Sequence, residues 1–253
     1  MERINATRPA HPGRFLSADL ASLDQVRALA ARIAGEHAAS GRPLTVLVNN
    51  VGAMFAERTD LGGIEASFVV NHLSPYLLTE LLLPTLTAGA PSRIVNVTSG
   101  AVVTAKRVFD AVEPPGGYYG FHWYGRAKLA NLAYTLDLAR RLDGTGVSVF
   151  AADPGGAATD MTNGTMTDPK IVSPALRLLW PLVRRRFVRS TSGPASAAAR
   201  PSITAATDDA LTGRTGLVIG PQAHPVAPFR AATDPRIAEA VRLLSETHAP
   251  VNA

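Results

Sequence analysis

Hydrophobic positions recur along this chain in two alternating patterns. Short uninterrupted apolar runs alternate with longer stretches whose apolar residues lie three and four apart. The first pattern reads as strands buried on both faces, the second as amphipathic helices. In order, residues 13–20 read as a short strand ending in a loop. Ser22 caps a helix to about Ala39, with Leu23, Val26, Leu29, Ala30 and Ile33 on one face. Gly41-Arg42-Pro43 breaks it. Leu44 to Val48 is a strand, Ile64 to Leu86 a helix, Arg93 to Val97 a strand, and residues 101–121 a loop. A long helix then runs to about Leu142, followed by an Asp143-Gly144-Thr145-Gly146 turn and a strand from Val147 to Ala152. Residues 160–192 are irregular around one amphipathic piece, Pro174 to Val188. A small-residue helix near Ala195 to Ala206, a strand from Leu217 to Gly220 and a helix from Pro235 to Thr247 close the chain.

This alternation predicts βαβ units, hence an α/β domain with a parallel sheet covered on both faces. Ligands of such sheets sit outside the carboxyl ends of the strands. Asp19, Asn49 to Gly52, Ser99 and Pro154-Gly155 each follow a predicted strand. No internal repeat or low-complexity linker divides the 253 residues, so one domain is expected over 1–253.

Composition narrows the classes. Apolar residues make up 46% and charged residues 18%, a globular balance. There are no cysteines, which excludes disulfides and thiolate chemistry, and the six histidines show no metal-ligand spacing, so no metal site is expected. No apolar signal core and no run of about 18 apolar residues occurs, so no integral membrane segment is expected and a cytoplasmic protein is the default. The net charge is +5. Arg184-Arg185-Arg186 with Arg189 is the only dense basic cluster; the remaining excess reads as scattered arginine, better matched to an anionic cofactor or substrate than to nucleic acid, which is not expected as a partner.

The candidate chemistry centres on Tyr124-Gly125-Arg126-Ala127-Lys128. A tyrosine and a lysine four apart on a helix share one side. A phenol titrates near pH ~10 and is a poor acid–base catalyst at neutral pH, but a nearby ammonium favours the phenolate. Such a pair can pass a proton to or from a hydroxyl or carbonyl oxygen.

Together these segments resemble the short-chain dehydrogenase/reductase family, and most closely its retinol-dehydrogenase-like bacterial branch, through the 25-residue gap from Ser99 to Tyr124 and Lys128-Leu129-Ala130-Asn131. Asn49-Asn50-Val51-Gly52 looks like the family's Asn-Asn-Ala-Gly signature. Asn71 matches its helix asparagine, Ser99 its serine, and Tyr124 with Lys128 its Tyr-x-x-x-Lys. Pro154-Gly155-Gly156-Ala157-Ala158-Thr159 resembles the segment cradling the nicotinamide, and Asp19-Leu20 the pair contacting adenine. The resemblance implies a Rossmann-type three-layer sandwich using NADP or NAD. It implies that a small-molecule carbonyl or alcohol is the substrate and that the protein is a homo-oligomer, as a dimer. Tyr124 would protonate the alkoxide, Ser99 would hydrogen-bond the same oxygen, Lys128 would lower the Tyr124 pKa and hold the ribose, and Asn71 would support a water chain.

One family feature has no counterpart in this sequence: the glycine-rich turn that opens the fold and binds the pyrophosphate. Glu2-Arg3-Ile4 looks like the end of the family's second helix, so the fold is expected to be N-terminally truncated by about fifty residues. The Leu44–Val48 strand would then lose a partner, and its edge would be covered, paired with the region of Phe15, or paired with another chain. Two alternatives stay open: a non-redox enzyme (cyclase, dehydratase or isomerase) reusing the Ser/Tyr/Lys set, and a non-catalytic partner. His122 either lines the substrate site or is solvated. Leu176 to Val188 has a membrane-surface look, but its position matches the family's substrate lid (160–192), and its leucines and Trp180 suit a lipophilic substrate.

Overall fold

The computed structural model describes residues 13–156, 168–182, 184–185 and 193–252. The elements, in chain order, are α1 (Leu23–Ser40), β1 (Val46–Asn49), β2 (Asp60–Leu61), β3 (Ile64–Glu65), α2 (Ala66–Phe68), α3 (Ser74–Ala88), β4 (Ser92–Val97), α4 (Gly120–Arg141), β5 (Val147–Ala152), α5 (Pro174–Arg177), α6 (Ala195–Thr207), β6 (Leu217–Ile219), β7 (Pro225–Val226) and α7 (Pro235–His248).

The main sheet has the order β1-β4-β5-β6-β7. Its first four strands are parallel; β7 turns back antiparallel on β6, an edge hairpin the sequence reading did not contain. Period-two alternation makes three layers. Ile94, Val149, Ala151 and Val218 face one side and share a core with Leu82 and Leu86 of α3 and Leu129, Leu132 and Leu138 of α4. Val95, Phe150, Ala152 and Ile219 face the other side, against Ala205 of α6. Helix α1 packs on α3 through Val26 and Ala30. The Rossmann-type three-layer expectation therefore holds.

Three local expectations are corrected. Residues 13–20 form no strand, and Phe15 is 73% exposed. This segment instead lies beside α1, where Arg14 pairs with Glu36 at 3.1 Å, and it ends in a turn in which the Asp19 carboxylate accepts the Ala21 N–H. It supplies no strand to β1, whose outer edge is unpaired among the described residues, with Val46 and Val48 about two-fifths exposed. Second, the predicted Ile64–Leu86 helix is broken at both ends of its first turn. Gly62 and Gly63 take positive φ (65° and 87°), so Ile64–Glu65 pairs back on Asp60–Leu61 as a hairpin. Buried Glu65 then caps α2 by accepting the Ser67 and Phe68 N–H groups. Between α2 and α3, Val69–Leu73 forms a wide π turn centred on Asn71. Third, the amphipathic piece expected over Pro174–Val188 is not continuous: α5 covers Pro174–Arg177, a turn follows at Leu178–Leu179, and residues 180–182 and 184–185 are helical again.

Strand register fixes where the site lies. Asn49 is level with Asn96, and Val97 with Ala152. The chain leaving β1, β4 and β5 therefore emerges on one rim, carrying Asn50–Gly52, Ser99 and Asp153–Gly155.

Candidate active site

Helix α4 crosses this rim and presents Tyr124 and Lys128, both buried, one turn apart. Gly125 lets the helix approach: a Cβ there would lie 2.4 Å from the Ala101 carbonyl oxygen. Lys128 Nζ donates to the carbonyls of Val51 (2.8 Å) and Val97 (3.0 Å), tying the loop after β1 to the end of β4. The Ser99 hydroxyl is hydrogen-bonded to the Tyr124 phenol and accepts the Ala101 N–H at 3.2 Å. A Cβ added to Gly52 would lie 3.9 Å from both Lys128 Nζ and the Tyr124 hydroxyl. Gly52, Ser99, Tyr124 and Lys128 are thus brought into one cluster.

Asn71 acts from behind it. Its Nδ2 donates to the carbonyls of Ala53 (2.7 Å) and Ser67 (2.9 Å), and its Oδ1 accepts the Ala53 N–H (3.1 Å). The side chain therefore holds the Val51–Ala53 loop, and the π turn is what aims it there; such turns are frequent at functional sites. The Asn71 carbonyl accepts from Asn131 Nδ2 at 3.2 Å. Asn49 is buried and donates to Thr79 Oγ1 (2.8 Å) and Asn96 Oδ1 (2.7 Å), and Asn96 passes on to Thr135 (2.9 Å). This chain of amides clasps β1, β4, α3 and α4 and keeps the site-bearing rim in register.

Burial sets the electrostatics. It pushes the Tyr124 phenol up to about 12; the Ser99 hydrogen bond pulls against this, and the charge of Asp153 adds to it. It pushes Lys128 down to about 7. The expectation that Lys128 brings the phenol toward neutrality is therefore not met by these residues alone. Desolvation dominates, Ser99 alone pulls the phenol down, and a lysine whose own value is about 7 is only about half charged at neutral pH.

The remaining sequence candidates fall as follows. Asn50 is exposed and Val51 contributes its carbonyl to Lys128. Pro154 and Gly155 follow β5, with Gly155 at φ 66° and its N–H on the Asp153 carboxylate. Ala157 and Thr159 lie outside the described residues. Asp19 and Leu20 sit at the start of α1: Asp19 N–H donates to Gln25, and the Leu20 carbonyl accepts from Ser74. These contacts are those of a turn and helix cap. His122 is half-buried with Nδ1 2.9 Å from the Thr104 carbonyl, so Nδ1 carries the proton and Nε2 is left without a partner among the described residues.

Sequence reasoning missed Arg126. It is buried, lies 4.7 Å from the Phe68 and Phe109 ring centroids, and donates to the carbonyls of Val108, Ala111 and Val112 at 2.7–2.9 Å. It fastens the loop between Ser99 and Tyr124 to α4. Its one signal was an arginine on a helix face otherwise filled by small and apolar residues. Met54, Ala101, Phe121, Ile171 and Val172 form an apolar cluster with Tyr124, and Leu176 and Trp180 pack against it.

A model of the short chain dehydrogenase family matches residues 2–170. The chain belongs to that family. This dehydrogenase-family chain is 38% identical to retinol dehydrogenase 12 of Mus musculus over 177 residues, covering 69% of this chain and 51% of the relative. It is 42% identical to retinol dehydrogenase 13 of Homo sapiens over 149 residues, covering 58% and 44%. It thus spans about half the length of these relatives. Among solved structures, an uncharacterised protein from Mycobacterium paratuberculosis aligns with TM-score 0.65 and 25% identity, covering 97% of this chain and 79% of that one. RhlG of Pseudomonas aeruginosa, solved as an active-site complex with NADP, aligns with TM-score 0.57 and 27% identity, covering 81% and 73%. No helix among the described residues is long and apolar enough to cross a membrane.

Proposed function

We propose that this chain interconverts a carbonyl and an alcohol on a lipophilic small molecule, with NADP or NAD as the redox partner. The observation that carries the reading is the convergence of Tyr124, Ser99 and Lys128 around Gly52. The residues present fit the nicotinamide-riboside end of a dinucleotide. Gly52 leaves open the space a side chain would take beside Lys128 and Tyr124, and the Lys128 ammonium has one N–H left after its two carbonyl bonds. Among the described residues, no glycine-rich turn between a strand and a helix offers N–H groups to a pyrophosphate, so no role is assigned for that end. The non-redox alternative is not favoured by the retinol dehydrogenase relatives.

A bound nicotinamide supplies or accepts the hydride. In the reductive direction Tyr124 gives its phenolic proton to the oxygen of the substrate as negative charge develops there. Ser99 donates a hydrogen bond to the same oxygen, and the buried setting strengthens it. Lys128 would hold the ribose hydroxyls and would offer positive charge to the phenolate left behind. Asn71 fixes the loop whose Val51 carbonyl orients Lys128. The apolar wall of Met54, Phe121, Ile171 and Val172 excludes water and favours an apolar substrate. Residues 1–253 would act as one domain with 160–192 as its substrate lid, in a homo-oligomer.

Calorimetric titration of the chain with NADPH and then NADH tests the redox reading. Micromolar binding supports it. A folded chain that binds neither up to millimolar concentration removes it in favour of a non-redox enzyme.

A further inference from the structure

The net positive charge of this chain is concentrated in one stretch of its sequence. Seven of its 25 Lys and Arg residues and none of its 20 Asp and Glu residues fall between 169 and 207, so the rest of the chain is slightly acidic. The reading of the excess as mostly scattered arginine is thereby replaced. Within this stretch the described segment 169–182 has two apolar faces. Ile171 and Val172 are buried in the cluster with Tyr124, and Leu176 and Trp180 pack against that cluster. Leu178, Leu179 and Leu182 point outward, 85%, 53% and 66% exposed. Arg177 is spent on the segment's own backbone, donating to the carbonyls of Pro169, Lys170 and Val172 at 3.0–3.2 Å. Arg184 and Arg185 are exposed and form no ion pair with a described residue.

We propose that residues 174–182, with Arg184 and Arg185, dock on the surface of an anionic lipid bilayer, with the three leucines entering the acyl boundary and the two arginines among the headgroups. Three large apolar side chains exposed within five residues mark an interaction surface, and the adjacent exposed guanidinium groups, in a stretch with no acidic residue from 169 to 207, fix the sign of the partner. A second copy of this chain is disfavoured, because a two-fold contact through this patch sets like charges against each other. A nucleic acid would use the arginines but leave the leucines in water. Docking here holds the segment that covers Tyr124 against the lipid, so an apolar substrate reaches the site without crossing water. The proposal extends the lipophilic-substrate reading and does not depend on cofactor use.

Co-sedimentation of the full chain with phosphatidylcholine vesicles, with and without phosphatidylglycerol, tests it at low and high salt. The expected result is binding to the anionic vesicles only, weakened by salt. Leu178→Ser/Leu182→Ser and Arg184→Glu/Arg185→Glu should each lower the partition coefficient about tenfold or more. Leu243→Ser, at a half-exposed leucine of α7, should leave it unchanged. Circular dichroism establishes that the variants fold. Failure to bind anionic vesicles overturns the proposal, as does wild-type binding by both double variants. It is also overturned by oligonucleotide binding without vesicle binding, or by a dimer that Leu178→Ser/Leu182→Ser dissociates while vesicles stay unbound.

Discussion

Asn71 and Ala53 hold each other by two hydrogen bonds, the asparagine Nδ2 on the Ala53 carbonyl at 2.7 Å and the Ala53 N–H on Oδ1 at 3.1 Å. The loop so closed carries the Val51 carbonyl that fixes Lys128. Asn71→Ala leaves both Ala53 groups short of partners and should cost about 1–3 kcal/mol of stability in urea unfolding. Activity should fall further than stability, because the ammonium loses its orientation. Asn71→Asp keeps the acceptor but not the donor and should recover part of the stability and little activity.

Gly52 and Gly125 should respond oppositely to alanine. A Cβ on Gly52 meets Lys128 Nζ and the Tyr124 hydroxyl at an ordinary 3.9 Å, so Gly52→Ala should fold with a thermal midpoint close to wild type. It intrudes on the space assigned to the nicotinamide, so dinucleotide affinity should drop about tenfold or more in calorimetry. A Cβ on Gly125 is 2.4 Å from a backbone oxygen, and Gly125→Ala should destabilise by about 1–3 kcal/mol.

His72 sets a pH limit on the fold. Burial, with the nearby Arg126 charge, pushes it down to about 3, and its Nδ1 has no partner among the described residues. The unfolded chain binds a proton here near pH 6.5 and the folded chain only near 3. Stability is therefore full above about 6.5 and is lost as pH falls through that window, by on the order of 3–5 kcal/mol. Thermal midpoints measured from pH 7 to 3 should fall less steeply in His72→Gln than in wild type.

Lys128 trades stability for function. Its folded value near 7 lies below the ordinary 10.5, so the unfolded chain holds more protons between those limits and stability rises with pH across them. Lys128→Met removes a buried ammonium and should raise the thermal midpoint at pH 6, with the advantage shrinking by pH 9. Turnover should fall about a hundredfold or more.

The parts of this fold legible in sequence were those where one physical signal acts alone. Runs such as Arg93–Val97 and Val147–Ala152 are apolar on both faces because both faces are covered, and they sit where expected. Ser22 and Gly41 bounded α1 by capping chemistry. The misses are places where contacts distant in sequence decide. Phe15 and Leu16 resemble a strand start, but Arg14 is drawn to Glu36. The π turn at Val69–Leu73 leaves no mark in periodicity, since all five of its residues are buried and no exposed face records the shift in phase. Arg126 looks like a surface residue until two phenylalanines and three carbonyls enclose it. For the site, motif order placed Ser99, Tyr124 and Lys128 together. It did not show that burial would drive the phenol up instead of down.

The most direct measurement is the steady-state turnover of NADPH with an apolar aldehyde by wild type and by Tyr124→Phe. The account predicts measurable reduction by wild type and a kcat about a thousandfold lower in the variant, with NADPH affinity retained, since only the proton donor has gone. A Tyr124→Phe enzyme within tenfold of wild type would contradict the assignment of Tyr124 as the acid.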